Sequence, residues 1–132
     1  MSITSKTPVI RTRYQRGAYK FVDTALRFTQ QHLRRNLDDD RDEESAHITG
    51  QELLNGIREL ALREFGLMTT TVLRHWGIRS TEDFGRIVFD FIDRGAMRKT
   101  DSDRLSDFFE VYDFEEVFDR QYQIDVSAAF RN

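Results

Sequence analysis

The sequence predicts a mainly helical protein, and three observations carry that prediction. Apolar residues recur at helical spacing in several segments, glycines follow the ends of those segments, and Ser, Thr or Asp precedes several of them. The chain has 132 residues and is 39% hydrophobic, which is enough to bury a core without a disulfide or a structural metal. We therefore predict a compact helical domain with a helix-turn-helix-like core.

Composition shifts along the chain predict one domain between two loose ends. The predicted parts are a flexible leader (1–12), a single helical domain (13–122) and a tail (123–132). Within the domain we expect an N-terminal helix (14–36), an acidic linker (37–46), a three-helix core (49–95) and a C-terminal segment (96–122).

The N-terminal helix is predicted to be amphipathic. Its apolar face would contain Tyr14, Ala18, Phe21, Val22, Ala25, Thr29 and Leu33. On the opposite side, basic residues fall seven positions apart, and such a repeat drifts only about 20° per step on a straight helix. The candidate partner-binding residues are these four and a neighbour: Arg13, Lys20, Arg27 and Arg34, with Arg16 nearby.

Capping signals divide the three-helix core. Thr49 and Glu52 form a capping-box pattern that predicts a helix ending near Gly66, and Ser80 with Asp83 predicts another that ends near Gly95. A short helix over 67–76 lies between them. The expected buried residues are Leu53, Leu54, Ile57, Leu60, Ala61, Phe65, Met68, Val72, Leu73, Phe84, Ile87, Val88, Phe91 and Ile92.

The C-terminal segment leaves two alternatives open. Residues 96–112 fit either a short β-hairpin, resembling the wing of a winged-helix domain, or another helix. Asp113 with Glu116 then looks like a third cap, with Phe114, Val117 and Phe118 facing inward.

No recognised catalytic motif occurs, so we predict no catalytic residue, no cofactor and no metal. The chain has no Cys, and its three histidines, His32, His47 and His75, lack metal-ligand spacing. We expect His32 to be a core imidazole. No Gly-rich phosphate loop or nucleophile elbow is present either. Whether the protein is an enzyme stays open, with the balance against it, because a carboxylate-based site leaves no sequence signature.

The net charge of -3 conceals two oppositely charged ends. Residues 1–36 carry eight basic side chains and one acid, whereas residues 100–132 carry nine acids and three bases. The basic stripe could bind an anionic partner, remain an ordinary solvated face, or pair with the acidic C-terminal third. The helix from Thr81 has four acids against two arginines, which disfavours it as a DNA-reading helix.

Four segments resemble a family of uncharacterised small bacterial proteins, found mainly in planctomycetes and verrucomicrobia. They are RYQRGAYKFVDTAL (13–26), HITGQELLNGIRELALREFG (47–66), VLRHWGIRSTEDFGRIVFDFI (72–92) and YDFEEVF (112–118). The blocks TGQELL and WGIRSTEDFG are specific to that family. The resemblance spans about residues 13–118 and implies one complete domain, but no activity, cofactor or catalytic residue. Where this chain reads Ala96-Met97-Arg98, family members are more apolar, which bears on the hairpin alternative.

These observations favour a soluble, cytoplasmic, non-enzymatic interaction or regulatory module that binds another protein. The N-terminus lacks the apolar run of a signal peptide, and no segment is apolar over the length of a membrane span. Two alternatives remain: a nucleic-acid-binding protein that acts through the basic N-terminal helix, and an enzyme with an unrecognised carboxylate site. The sequence leaves the oligomeric state open.

Overall fold

The protein is mainly helical, as the sequence predicts. The computed structural model describes residues 2–3, 13–35 and 47–120, with only the backbone described at 2–3, 34–35 and 120. The predicted linker (37–46) and tail (123–132) lie outside the described residues. The elements are β1 (Ser2–Ile3), α1 (Arg16–Arg35), α2 (Gly50–Phe65), a 3-10 helix (Gly66–Met68), α3 (Thr69–His75), α4 (Thr81–Asp93), β2 (Met97–Arg98), a second 3-10 helix (Leu105–Phe108) and a π-helical turn (Glu115–Arg120).

Helix α1 begins two residues later than predicted because its N-terminus packs against Trp76. The backbone N–H of Gln15 donates to the carbonyl of Trp76 at 3.2 Å, which fixes the chain just before the helix. Gly17 lies in the first turn, and a Cβ added there would be 2.6 Å from the Trp76 Nε1. Glycine is therefore required by close contact with the indole ring.

The apolar face predicted for α1 faces the core. Six of its members are buried, from Tyr14 to Thr29, and Leu33 packs against them half-buried. Helix α2 lies antiparallel to α1. Two contacts show this: the ring centroids of Phe21 and Phe65 are 5.5 Å apart, and Thr29, later in α1, lies against Gly56, earlier in α2. The close neighbour of Gly56 is the side chain of Thr29 on α1.

A turn at 76–80 joins α3 to α4, and the carboxylate of Asp83 holds it. The Asp83 Oδ2 accepts the backbone N–H groups of Arg79 (2.8 Å) and Ser80 (3.2 Å), which confirms the predicted capping role. The other oxygen accepts the hydroxyl of Tyr14 at 2.6 Å and lies 3.5 Å from a guanidinium nitrogen of Arg86. One side chain thus joins the turn, α4 and the residues before α1.

Residues 96–112 form neither a hairpin nor a continuous helix. Strand β2 instead pairs with β1 in antiparallel register, Ile3 opposite Met97 and Ser2 opposite Arg98. Beyond β2, the carboxylates of Asp103 and Asp107 accept backbone N–H groups three residues earlier, at 2.9 and 3.0 Å. Such local bonds favour turns over a strand ladder, so the segment folds into a 3-10 helix.

Two smaller predictions are wrong. His32 is exposed and stacks on the ring of Phe28 at 6.1 Å, rather than lying in the core. Met68 is 56% exposed because it ends the 3-10 helix between α2 and α3.

The third predicted cap is confirmed: Asp113 Oδ1 accepts the N–H groups of Glu115 and Glu116 at 2.8 and 3.3 Å. Its predicted inward residues, Phe114, Val117 and Phe118, are buried.

Two tyrosine hydroxyls join the start of α1 to α4. Tyr14 donates to Asp83, and Tyr19 donates to Asp90 at 2.8 Å. Burial, followed by the hydrogen bond to Asp90, raises the pKa of Tyr19 to about 12. Burial and Asp83 likewise raise the pKa of Tyr14 above its ordinary value.

Substituting Gly56→Ala tests the contact between α1 and α2. The added methyl would overlap the hydroxyl of Thr29, so we expect a loss of about 1–3 kcal/mol despite the better helix propensity of Ala. Urea denaturation measures the change. In a double-mutant cycle with Thr29→Ala, the two losses should be less than additive. Additive losses would contradict the proposed overlap.

Alkaline pH should weaken the junction between α1 and α4. The folded pKa of Tyr19 is above its ordinary value of 10.0, so its contribution is complete below that value and is lost as pH rises toward about 12. The urea midpoint should therefore fall as pH rises from the ordinary pKa of 10.0 toward about 12. Tyr19→Phe should be less stable at neutral pH and show a shallower alkaline fall. An identical alkaline slope in this variant would exclude Tyr19 as a cause.

Candidate functional site

The basic stripe predicted from the sequence lies at the surface. Arg13, Arg16, Lys20 and Arg27 are all exposed, and we call these four residues the basic ridge. Arg13 precedes α1 rather than belonging to it, and the side chain of Arg34 lies outside the described residues.

An acid interrupts the basic ridge. Asp23 lies between Lys20 and Arg27 on the same side of α1, and its carboxylate is 3.4 Å from the Arg27 Nε. The partner of Arg27 is therefore in its own helix rather than in the acidic C-terminal segment. Arg16 and Lys20 have no ion pair with any described residue. The ridge is an exposed cationic surface that one local carboxylate partly neutralises.

A larger feature, which the sequence did not predict, is an open groove of about 1470 Å³. One side is formed by α3 and the turn that follows it, and the other by residues 109–119. The start of α4 lies between the two sides. We call this feature the groove; its lining residues are Thr70, Arg74, Ile78, Arg79, Ser80, Thr81, Glu82, Phe109, Glu110, Tyr112, Asp113, Phe114, Glu115 and Asp119.

Hydrogen bonds between distant segments fix the two sides of the groove. The hydroxyl of Thr81 donates to the Phe108 carbonyl at 2.6 Å and accepts the Val111 N–H at 3.3 Å. Thr70 donates to the Asp119 carboxylate at 2.9 Å, which joins α3 to the π-helical turn. Because these bonds do not involve a ligand, the groove is already formed in the isolated chain.

Tyr112 anchors the same side from beneath. Its hydroxyl donates to the carbonyl of Leu54 in α2 at 2.9 Å, and its ring contacts those of Phe114 and Phe118. Burial raises the pKa of Tyr112 above its ordinary value, so the side chain stays neutral at physiological pH. Because its hydroxyl is hydrogen-bonded to Leu54, the side chain joins this side of the groove to α2.

Charges of both signs line the groove, and most of the acids have partners. The Glu82 Oε1 forms an ion pair with the Arg86 Nη2 at 3.1 Å. Asp113 caps two amides, Asp119 accepts from Thr70, and Glu115 has a partner of its own. In contrast, three exposed side chains lining the groove have no hydrogen-bond or ion-pair partner among the described residues: Arg74, Arg79 and Glu110.

Phe109 places an aromatic ring at the surface of the groove. It is 46% exposed, whereas its neighbour Phe108 is 1% exposed and packs on Gly85. The next residue, Glu110, has a positive φ of 50°, a conformation that is uncommon for a residue with a side chain. Such backbone is often found at binding sites. Phe109 and Glu110 thus combine exposed apolar surface, an unpaired charge and an unusual backbone.

The groove offers binding chemistry rather than a recognisable reaction centre. Among the described residues, no cluster of three His, Cys, Asp or Glu side chains could hold a metal ion. The carboxylates of Glu82, Asp113 and Asp119 already contact Arg86, backbone amides and Thr70, respectively. What remains exposed in the groove is the ring of Phe109, followed in the chain by the unpaired side chain of Glu110.

Comparison with known proteins gives no further information. No protein-family model, no curated protein and no solved structure matches the chain.

None of the described helices has the length and apolar character needed to cross a membrane.

The adjacent residues Phe108 and Phe109 provide a matched pair of variants. Phe108→Ala should cost about 3–5 kcal/mol, because it removes a buried ring between α4 and the 3-10 helix. Phe109→Ala should cost much less, about 1 kcal/mol or below, because the residue is 46% exposed. Thermal and urea denaturation measure both. Equal losses would show that Phe109 is part of the core and not available to a partner.

Proposed function

We propose that this chain is a non-enzymatic, cytoplasmic interaction module whose groove binds a segment of another protein. The observation that carries the proposal is the exposed ring of Phe109 next to unpaired charges in a preformed groove. Aromatic anchors with charged neighbours account for much of the affinity of protein interfaces.

The composition of the groove specifies the chemistry of the partner. Five acids and two arginines line it, so its side chains carry a net negative charge. A segment with an apolar side chain for Phe109 and an excess of Lys or Arg would be electrostatically complementary. The unpaired Glu110 would meet one of those cations without first breaking an internal contact.

Nucleic-acid binding through the basic ridge is the alternative proposal. Three cations of one helix, Arg16, Lys20 and Arg27, are exposed on α1, which favours contact with phosphates. Asp23 reduces that potential by pairing with Arg27. We therefore rank the ridge below the groove.

The helix-turn-helix-like shape of α3, the turn and α4 also enters as a proposal, in a structural role. Asp83 and Asp90 on α4 accept hydrogen bonds from Tyr14 and Tyr19. That side of α4 packs against the start of α1 and is unavailable to a DNA groove. The acidic first turn of α4, with Glu82 and Asp83, would also repel phosphates.

Membership of the uncharacterised planctomycete and verrucomicrobial family is likewise a proposal. The blocks that carry the resemblance, TGQELL and WGIRSTEDFG, contain the α2 capping box and the turn stabilised by Asp83. These residues have roles in folding, so the resemblance is compatible with a shared fold and transfers no activity.

Fluorescence anisotropy with three labelled probes tests the proposal. The probes are a short peptide of alternating Lys and Leu, the same peptide with Glu in place of Lys, and a single-stranded RNA. We expect the Lys-Leu peptide to bind most tightly. Phe109→Ala should weaken that binding about tenfold, as should Glu110→Lys. The control variant Arg16→Glu, on the ridge, should leave it unchanged.

Other outcomes would contradict the groove. Peptide binding that survives Phe109→Ala and Glu110→Lys would place the interaction elsewhere. RNA binding that falls steeply with salt and is abolished by alanine at Arg13, Lys20, Arg27 and Arg34 would favour the nucleic-acid alternative. Deleting residues 121–132 should not change peptide affinity; a large increase would mean that the chain's own C-terminal residues occupy the groove.

A further inference from the structure

We propose that the segment 121–132 of this chain docks on an apolar surface at the junction of the 3-10 helix Gly66–Met68 and α3. We call Leu67, Met68 and Val72 the α3 patch. The inference goes beyond the proposed function, because these residues do not line the groove and their occupant belongs to the same chain.

The α3 patch is exposed apolar surface. Leu67 is 54% exposed and Met68 is 56% exposed, and among the described residues only Phe109 is another exposed large hydrophobic residue. Val72 is half-buried and follows Met68 by four positions, so their side chains lie on the same side of the helical segment. Adjacent exposed apolar side chains, unlike scattered single ones, are typical of a contact surface.

The last described residues lie beside the α3 patch. The π-helical turn Glu115–Arg120 contacts both the 3-10 helix Gly66–Met68 and α3. Asp119 accepts the hydroxyl of Thr70, two residues after Met68, at 2.9 Å. Twelve residues follow Arg120. Because an extended chain spans about 3.3–3.6 Å per residue, only its first few residues are needed to reach the patch.

The sequence of the segment, QYQIDVSAAFRN, provides an apolar side that matches the patch. Every second residue is apolar: Tyr122, Ile124, Val126, Ala128 and Phe130. Polar residues lie between the first four of them, at Gln123, Asp125 and Ser127. This alternation is typical of an extended segment that buries one side. It favours docking over the loose tail predicted from composition for 123–132.

Charge favours the α3 patch over the groove as the docking site of this segment. The groove lining has five acids and two arginines, whereas the segment has one acid and one base, Asp125 and Arg131. The segment therefore gains no net electrostatic attraction from the groove. The α3 patch consists of apolar side chains, and burying them against an apolar segment is favourable. Docking there leaves the groove open to a partner.

Disulfide trapping in the full chain tests the docking, because the chain has no Cys of its own. The test pair is Met68→Cys with Ile124→Cys, and the first control replaces Ile124→Cys by Asp125→Cys, on the polar side of the segment. The second control pairs Ile124→Cys with Arg74→Cys, in the groove. The test pair should form an intramolecular disulfide about tenfold faster than either control, because docking holds its two thiols together. Val126→Cys and Ser127→Cys repeat the comparison further along the segment.

Oxidation of Met68 by hydrogen peroxide gives a second readout, in which the α3 patch keeps its own side chains. Ile124→Asp places a carboxylate on the apolar side of the segment, and burying that charge is unfavourable. The variant should therefore release the segment and raise the oxidation rate of Met68 about tenfold, as measured by mass spectrometry. The matched control Ser127→Asp, on the polar side, should leave the rate unchanged. Met97, 3% exposed, should stay slow in both variants if the fold is intact.

Several outcomes would overturn the inference. Equal trapping of Met68→Cys by Ile124→Cys and Asp125→Cys, repeated at 126 and 127, would mean that the segment presents no particular side to the patch. Faster trapping by Arg74→Cys would place the segment in the groove, and disulfides formed mainly between molecules would make a second copy the occupant. An unchanged Met68 oxidation rate in Ile124→Asp would also exclude the docking. The proposed function is tested separately, by peptide binding through Phe109.

Discussion

The carboxylate of Asp83 is the interaction on which the arrangement of this protein most depends. It accepts two backbone N–H groups of the turn before α4 and the hydroxyl of Tyr14 before α1. Segments 69 residues apart in the chain are thereby joined at one side chain. Without these bonds, two amides at the start of a helix and a tyrosine hydroxyl would need other partners. The position of the turn relative to α1 follows from this one group.

The groove depends on the same turn. Arg79 donates its backbone N–H to Asp83, which leaves its side chain at the surface and in the groove. Thr81, two residues before Asp83, bonds to the backbone of Phe108 and Val111 and so positions the opposite side. Phe108 is directed against Gly85, and the backbone then turns at Glu110, leaving Phe109 exposed. A short stretch of chain therefore orients both sides of the groove.

Features set by neighbours in the chain could be predicted from the sequence. The cap at Thr49, the apolar faces of α1 and α2, and the outward ridge all depend on residues within a few positions of each other. The groove could not be predicted, because it depends on contacts such as Thr81 with Phe108, 27 residues apart. The same limit explains why the partner of β2 could not be predicted: it is Ser2–Ile3, more than 90 residues away in the chain. Nothing in the dipeptide Phe108-Phe109 indicates which ring is buried.

The charges of the basic ridge and of the groove are all exposed, but they differ in whether they already have partners. Arg27 on the ridge is exposed but already has Asp23 as a partner one turn away. An incoming anion would compete with that carboxylate. The unpaired charges of the groove, by comparison, lie on segments that Thr70 and Thr81 fix by hydrogen bonds. A partner could therefore pair with them without breaking an internal ion pair and without ordering a loop. Both circumstances lower the free-energy cost of association. This preorganisation is the reason for proposing the groove rather than the basic ridge as the binding surface, even though Arg16 and Lys20 on the ridge also have no ion pair with a described residue.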